Sequence, residues 1–216
     1  ADGSLAPFSA RLPRARSAPA PTVTEADVLA VQAKWAGAIV KISEVHRAGG
    51  DYVATAAEAA GELYAYGHED VLFKPTKAAE HQFRPTAEDA LSYFVGGDKI
   101  TGGFAEDHGF ALGPGGVGWK KVVFDNNKMD FNGATAQAMG EYYFYPTDGS
   151  APAKVEYTFG YKRNDDGQIR VYLHHSSLPY NPKPAAPAPI TMDEVVKGQR
   201  EWGDAIVRIS KTYLAG

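Results

Sequence analysis

At Gly118 the hydrophobic pattern of this 216-residue chain changes period. Before it, apolar residues recur at helical spacing. Val28, Val31, Trp35, Ile39 and Ile42 share one face of a helix that Gly49-Gly50 ends. Thr24, three residues ahead of Asp27, supplies the start: a hydroxyl for the third amide and an acid at the positive helix end. An Ala-rich helix is expected from Asp51 to Tyr66. A short strand with Val71, Leu72 and Phe73 follows, cut at Pro75. Thr86 with Asp89 then opens a short helix that turns Leu91, Phe94 and Val95 inward and closes at Gly96-Gly97. After Gly118 the period is two. Strand-like runs fall near 118–125, 136–146, 153–163 and 168–178, with turns expected at Asn126-Asn127, Asp148-Gly149 and Asp165-Asp166-Gly167. Helices followed by an antiparallel meander make an α+β fold, with a curved sheet wrapped around the long N-terminal helix as the expected geometry.

The first helix recurs at the far end of the chain. Residues 23–43 and 190–210 align without gaps at an offset of 167, with nine of 21 positions identical. The identities include Thr24/Thr191, Gln32/Gln199, Trp35/Trp202 and Ser43/Ser210, and both segments follow an Ala-Pro-Ala-Pro lead-in. Amphipathicity alone does not demand Gln and Trp at matching places, so the C-terminal segment reads as the opening helix of a second copy in a tandem array. The expected organisation is a basic Ala/Pro-rich tail over 1–22, a repeat domain over 23–180, a Pro-rich linker over 181–189 and the first helix of the next repeat over 190–216. That last helix carries an apolar face centred on Trp202 and is expected to dock on a neighbouring surface or chain.

Composition excludes several function classes. The formal net charge is −4, which argues against nucleic acid as a partner, because phosphate binding needs a basic patch. The densest basic stretch, Arg11 to Arg16, sits in the Pro/Ala-rich tail and reads as a solvated linker. With no cysteine there is no disulfide, Cys-ligated zinc, Fe–S cluster or thiol nucleophile. No apolar run approaches the ~18 residues that span a bilayer, so no membrane partner is expected. The acid-free Ala/Arg/Ser/Pro stretch from Ser9 to Pro21 suits an organelle transit remnant or an interdomain linker.

Chemistry-bearing residues cluster at the end of the last strand. Strict alternation places Ile169, Val171, Leu173, His175 and Ser177 on one face and Gln168, Arg170, Tyr172, His174 and Ser176 on the other. The first set is apolar up to His175, so His175 and Ser177 are expected at the mouth of an apolar cavity. A satisfied core histidine fits this spacing as well as a functional one. Adjacent strand residues point to opposite faces, so His174 and His175 do not chelate one ion, and the sequence has no H-E-x-x-H pairing. Gly113-Pro114-Gly115-Gly116-Val117-Gly118 lacks the Gly-Lys-Ser/Thr of a phosphate loop and reads as a tight turn. Tyr142-Tyr143-Phe144-Tyr145 reads as cross-strand packing, with room for one phenol to face the cavity.

The run His174-His175-Ser176-Ser177-Leu178-Pro179, after the strand Tyr157-Thr158-Phe159-Gly160-Tyr161-Lys162, resembles the signature of iota-class carbonic anhydrases. Leu72-Phe73-Lys74-Pro75-Thr76 and Ala90-Leu91-Ser92-Tyr93-Phe94-Val95-Gly96-Gly97 resemble that family as well, so the likeness covers roughly 23–180. It implies the cone of the calcium/calmodulin-dependent protein kinase II association domain, a cystatin-like or nuclear-transport-factor-2-like fold, commonly a homodimer. It implies interconversion of CO2 and bicarbonate without a metal or other cofactor. Tandem copies occur in algal plastid members, which implies neighbouring repeats in a longer chain and a chloroplast location.

Carried onto this sequence, the family's pocket groups fall on Thr76, Tyr93, His175 and Ser177, with no metal ligand. His175 over His174 rests on the alternation argument. In those roles His175 accepts or shuttles a proton, Tyr93 orients the attacking water or helps remove its proton, and Thr76 and Ser177 bond the bicarbonate oxygens. Two rivals share the fold. One is a non-catalytic association hub. The other is an isomerase-type pocket, disfavoured because no Asp or Glu falls on the expected inward face of the last two strands.

Overall fold

The protein is described here from a computed structural model covering residues 21–181 and 189–215. The basic tail up to residue 20 and most of the Pro-rich linker lie outside the described residues. Two compact units divide the chain near Pro179.

In the larger unit α1 (Glu25–Arg47) begins at a capping box. The Thr24 hydroxyl accepts from the Asp27 amide and the Asp27 carboxylate accepts from the Thr24 amide. Its buried stripe is Val28, Val31, Gln32, Trp35, Ile39, Ile42 and Ser43. α2 (Tyr52–Leu63), capped by Asp51, packs on α1, and α3 (Ala87–Val95) starts at a second capping box between Thr86 and Asp89. β1 (Leu72–Lys74) is short because Pro75 offers no N–H to continue the ladder. β2 (Trp119–Asn132), β3 (Thr135–Pro146), β4 (Ala153–Arg163) and β5 (Ile169–Ser177) form the meander. The sheet order is β1-β5-β4-β3-β2, with β1 parallel to β5 and the other pairs antiparallel. The α+β class and the curved sheet around the long first helix are as the sequence led one to expect.

Two irregularities shape that sheet. β2 does not end at Asn126-Asn127. Those residues form a bulge, since Asn126 pairs with Gly140 and Lys128 with Met139, and the turn comes later at Gly133 and Ala134. Gly140 makes room for the bulge: a Cβ there would lie 2.1 Å from the Asp125 carbonyl oxygen. A second bulge lies between β4 and β5, where Gly160 pairs with Leu173 but Tyr161 pairs with Val171, leaving Tyr172 as the extra residue. Each bulge bends its strand and resets which side chains face the core.

The inner face of the sheet is aromatic, with Tyr142, Phe144, Tyr157, Phe159 and Tyr161 all buried. Trp35 of α1 lies among them, edge-on to Phe124, Phe144 and Phe159 at ring separations of 5.8 to 6.2 Å. Polar side chains of α1 tie it to the sheet. The Gln32 amide donates to Asn126 Oδ1 at 2.8 Å and to the Tyr161 hydroxyl at 3.1 Å. Ser43 donates to the Ala111 carbonyl and accepts from the Trp119 amide. In the smaller unit α4 (Met192–Leu214) opens with a capping box between Thr191 and Glu194, as α1 does, and none of its residues is buried.

Candidate active site

Trp35, Pro75, Thr76, Tyr93, Phe94, Phe110, Tyr142, His174 and Ser176 line a small, tightly packed hollow between α1 and the sheet. Each polar group arrives on a different element. Pro75 ends β1 and puts Thr76 at the rim. Tyr93 projects from α3, Tyr142 from β3, and His174 and Ser176 from β5. α3 is braced from behind. Ser92 donates to Asp107 Oδ2 at 2.6 Å, Asp107 accepts from Arg84 at 2.8 Å, and the Phe104 amide donates back to Ser92 at 3.0 Å. Gly97 lets the Phe104 carbonyl approach so closely that a Cβ would lie 1.9 Å from its oxygen. These contacts explain the Ser-Tyr-Phe-Val-Gly-Gly run: Ser92 anchors the helix, Tyr93 faces the hollow, and Gly97 admits the returning loop.

His174 is 2% exposed and sits between rings, stacked on Phe73 at 4.5 Å and tilted against Phe159 at 4.1 Å. Its two nitrogens are both engaged. Nδ1 lies 2.7 Å from the Tyr64 hydroxyl, which also accepts the Trp35 indole N–H at 2.9 Å. Nε2 lies 2.8 Å from Ser176 Oγ and 3.3 Å from the Tyr142 hydroxyl. Ser176 and Tyr142 also hydrogen-bond to each other. The Tyr93 hydroxyl is buried and has no hydrogen-bond partner among the described residues. A buried polar atom left this way costs about 1–3 kcal/mol unless something binds it.

Burial sets the charge state of the site. It holds His174 well below the usual imidazole pKa, with nearby His175 adding in the same direction. It pushes the phenols of Tyr64, Tyr93 and Tyr142 well above their usual value. At neutral pH the hollow is therefore lined by an uncharged imidazole and protonated hydroxyls. Its polar groups are hydrogen-bond donors, its other walls are Trp35, Phe94, Phe110 and Pro75, and it suits a small molecule that is apolar in one state and oxygen-rich in another. Among the described residues no three His, Cys, Asp or Glu side chains are grouped to hold a metal ion, and no helix is long and apolar enough to cross a membrane.

Of the four residues singled out in the sequence, Thr76 and Tyr93 lie on this hollow. His175 and Ser177 do not. They face the opposite side of the sheet, where His175 is exposed and Ser177 donates to Glu156 at 3.2 Å. The cause is the bulge at Tyr172. Alternation is correct up to Val171, and the extra residue then shifts the phase by one, so His174 and Ser176 turn inward. Gly160, an isolated glycine in the middle of a strand, is the sequence signal for that bulge. His175 and Ser177 instead join Asp125, Glu141 and Glu156 around an open acidic hollow of about 600 Å³ on the outer face. Tyr64 and Tyr142 had no sequence signal of their own beyond membership in aromatic runs.

The model of the family described as metal-independent carbonic anhydrase matches residues 26–178. A metal-independent carbonic anhydrase from Nostoc sp. strain PCC 7120 is 40% identical over 161 residues, covering 73% of this chain and 75% of that protein. Among solved structures, the iota-carbonic anhydrase from a cyanobacterium complexed with bicarbonate superposes with a TM-score of 0.68 at 38% identity, over 74% of this chain and 95% of that one. A putative dehydratase of the NTF2-like family from Streptomyces avermitilis aligns at 12% identity and a TM-score of 0.44, over 72% of this chain and 96% of its own.

Proposed function

Because the chain belongs to the metal-independent carbonic anhydrase family, we propose that it interconverts CO2 and bicarbonate at the hollow formed by Thr76, Tyr93, Tyr142, His174 and Ser176. The observation that carries the site assignment is the unpartnered Tyr93 hydroxyl, buried beside a serine, a second phenol and a neutral imidazole. The substrate reading is supported by the relative of 38% identity crystallised with bicarbonate.

Chemistry follows from the charge states. CO2 enters against the aromatic walls. The buried phenols have pKa values too high, and His174 too low, for either to serve as an efficient base near pH 7. The proton therefore moves through a hydroxyl that gives one as it takes one. The water oxygen bonds to carbon and the water proton passes to the Tyr93 oxygen. The Tyr93 proton passes to a CO2 oxygen, leaving carbonic acid, which ionises to bicarbonate and a proton on release. Tyr142 and Thr76 donate to the oxygens where negative charge builds, as an oxyanion hole does. Stopped-flow CO2 hydration on chelator-treated protein tests this. Activity is expected to persist, and Tyr93→Phe is expected to lower it by about 10²–10³, the cost of one such donor. Activity restored only by added zinc or manganese defeats the metal-free mechanism, and full activity in Tyr93→Phe removes that residue from it.

We also propose that the domain over 23–180 is one repeat of a tandem array. What supports this is the role of the matched residues. Gln32, Trp35 and Ser43 are buried α1 side chains that hydrogen-bond to the rest of the cone, and α4 carries the same three types at Gln199, Trp202 and Ser210. A second cone that receives α4 explains why its apolar face has Trp202 71% exposed and Ile209 65% exposed. The encoding full-length transcript tests it: no second sheet sequence downstream of α4 rules it out. Homodimerisation and a plastid location complete the proposal; light scattering and a fluorescent fusion of the full-length protein test them.

A further inference from the structure

Trp35 and Tyr64 fix the direction of the hydrogen bonds that run through His174 to Ser176. An indole N–H can only donate, so Trp35 occupies one lone pair of the Tyr64 oxygen at 2.9 Å. The Tyr64 hydrogen must then find an acceptor, and among the described residues the sole one in reach is His174 Nδ1, at 2.7 Å. Nδ1 is thereby an acceptor, and the ring proton of the neutral imidazole sits on Nε2. From Nε2 it points to Ser176 Oγ, the nearer of its two neighbours at 2.8 Å against 3.3 Å for Tyr142. Ser176 accepts there, and of the two hydroxyl hydrogens on Ser176 and Tyr142 one makes the bond between them. Nε2 already carries a hydrogen and accepts from neither, so the other hydroxyl hydrogen of the pair is left for the hollow.

We infer that Trp35 and Tyr64 are positioning residues that lock His174 in the Nε2–H form, so that Ser176 and Tyr142 present a hydroxyl hydrogen to an oxygen bound in the hollow. The chain runs one way, from the Trp35 N–H through Tyr64 and His174 to the Ser176–Tyr142 pair. His174 in this arrangement is a relay of polarity, and not the proton acceptor. Protonating Nδ1 would set two hydrogens against each other between the ring and Tyr64. The low pKa that burial gives His174 agrees with a ring that stays neutral. The inference rests on the proposed activity for its kinetic consequence and on geometry alone for the tautomer.

Long-range ¹H–¹⁵N correlation spectra of the labelled protein read the tautomer directly. His174 is expected to show a protonated Nε2 and an unprotonated Nδ1. A protonated Nδ1 in the wild-type protein overturns the inference, whether or not the protein hydrates CO2. An Nε2–H signal in a protein without activity supports it while removing the carbonic anhydrase reading. Tyr64→Phe keeps the ring that packs on Tyr66 and Phe73 but deletes the donor to Nδ1. It is expected to give a mixed tautomer and about a tenfold loss in kcat with little change in KM, less than the ~10²–10³ lost with a direct donor. Tyr64→Phe with the wild-type tautomer and wild-type kcat also overturns it.

Discussion

Gly160→Ala should unmake the proposed active site from behind the sheet. A Cβ at this position would lie 2.8 Å from Cε1 and Cζ of Tyr172 and 2.9 Å from Cβ of Leu173. The Tyr172 ring is half-buried, held by Gln137 at 3.2 Å, and can swing away. Leu173 Cβ is fixed to the backbone, so relieving that contact means shifting the strand by a few tenths of an ångström. Overpacking of this kind costs about 1–3 kcal/mol. Stiffening the unfolded chain returns about 0.4–1 kcal/mol. The net loss is about 1–2 kcal/mol, which for a chain of this size lowers Tm by roughly 2–8 °C. The shifted residues are the bulge itself, so His174 and Ser176 move with them and CO2 hydration should fall along with stability. Differential scanning calorimetry and stopped-flow assays measure both. Gly61→Ala is the control: it lies exposed in α2 with open space around a new Cβ, and the exchange should stabilise by about 0.5–1 kcal/mol. If Gly160→Ala also stabilises and leaves activity intact, the bulge does not set the phase of β5 and does not hold His174 and Ser176 at the hollow.

Four further outcomes follow from the same geometry. His174→Ala should abolish most CO2 hydration while His175→Ala, on the exposed face, leaves it near wild type; equal losses would contradict the assignment of faces. Trp35→Ala, at 2% exposure, should cost about 3–5 kcal/mol in denaturant unfolding, whereas Trp202→Ala, at 71% exposure, should stay within about 0.5 kcal/mol in this chain. Stability should fall as pH drops below 6.5, because the unfolded chain protonates His174 and the folded one does not. That contribution is complete above the unfolded pKa and is lost toward the lower folded one, with a slope of at most about 1.4 kcal/mol per pH unit from this group. Glu106→Gln should loosen the loop carrying Ala79, Glu80 and His81, whose amides all donate to that carboxylate and hold its pKa down to about 2. Faster amide exchange at those three residues would register the change.

The periodic parts of this chain could be read in the sequence because burial enforces them. The stripe from Val28 to Ile42 on α1 and the alternation of β3 from Ala136 to Phe144 needed no tertiary information. Both capping boxes of the larger unit were likewise visible in Thr24/Asp27 and Thr86/Asp89. Reading failed at the two bulges, and for one reason. A strand's period of two is a local rule, while a bulge is a relation between two strands. Asn126-Asn127 looks like a turn until Gly140 is seen across from it, and His175 looks inward until Tyr172 is seen to lack a partner opposite Gly160. In both places the glycine on the neighbouring strand was the available clue, because a Cβ would meet the doubled backbone at Gly140 and the Tyr172 ring and Leu173 Cβ at Gly160. The family resemblance located the motif correctly but left a choice between two adjacent histidines. Strict alternation pointed inward at His175, which the sheet turns to the outer face. The same displacement shows why the site sits where it does. A regular β5 would have put His174 and Ser176 on the acidic outer face, and the bulge is what turns them toward Tyr64 and Tyr142. The chemistry of this cone thus depends on an irregularity in its sheet, and a sequence search for such sites should weigh a lone glycine in the preceding strand as heavily as the His-His-Ser-Ser run itself.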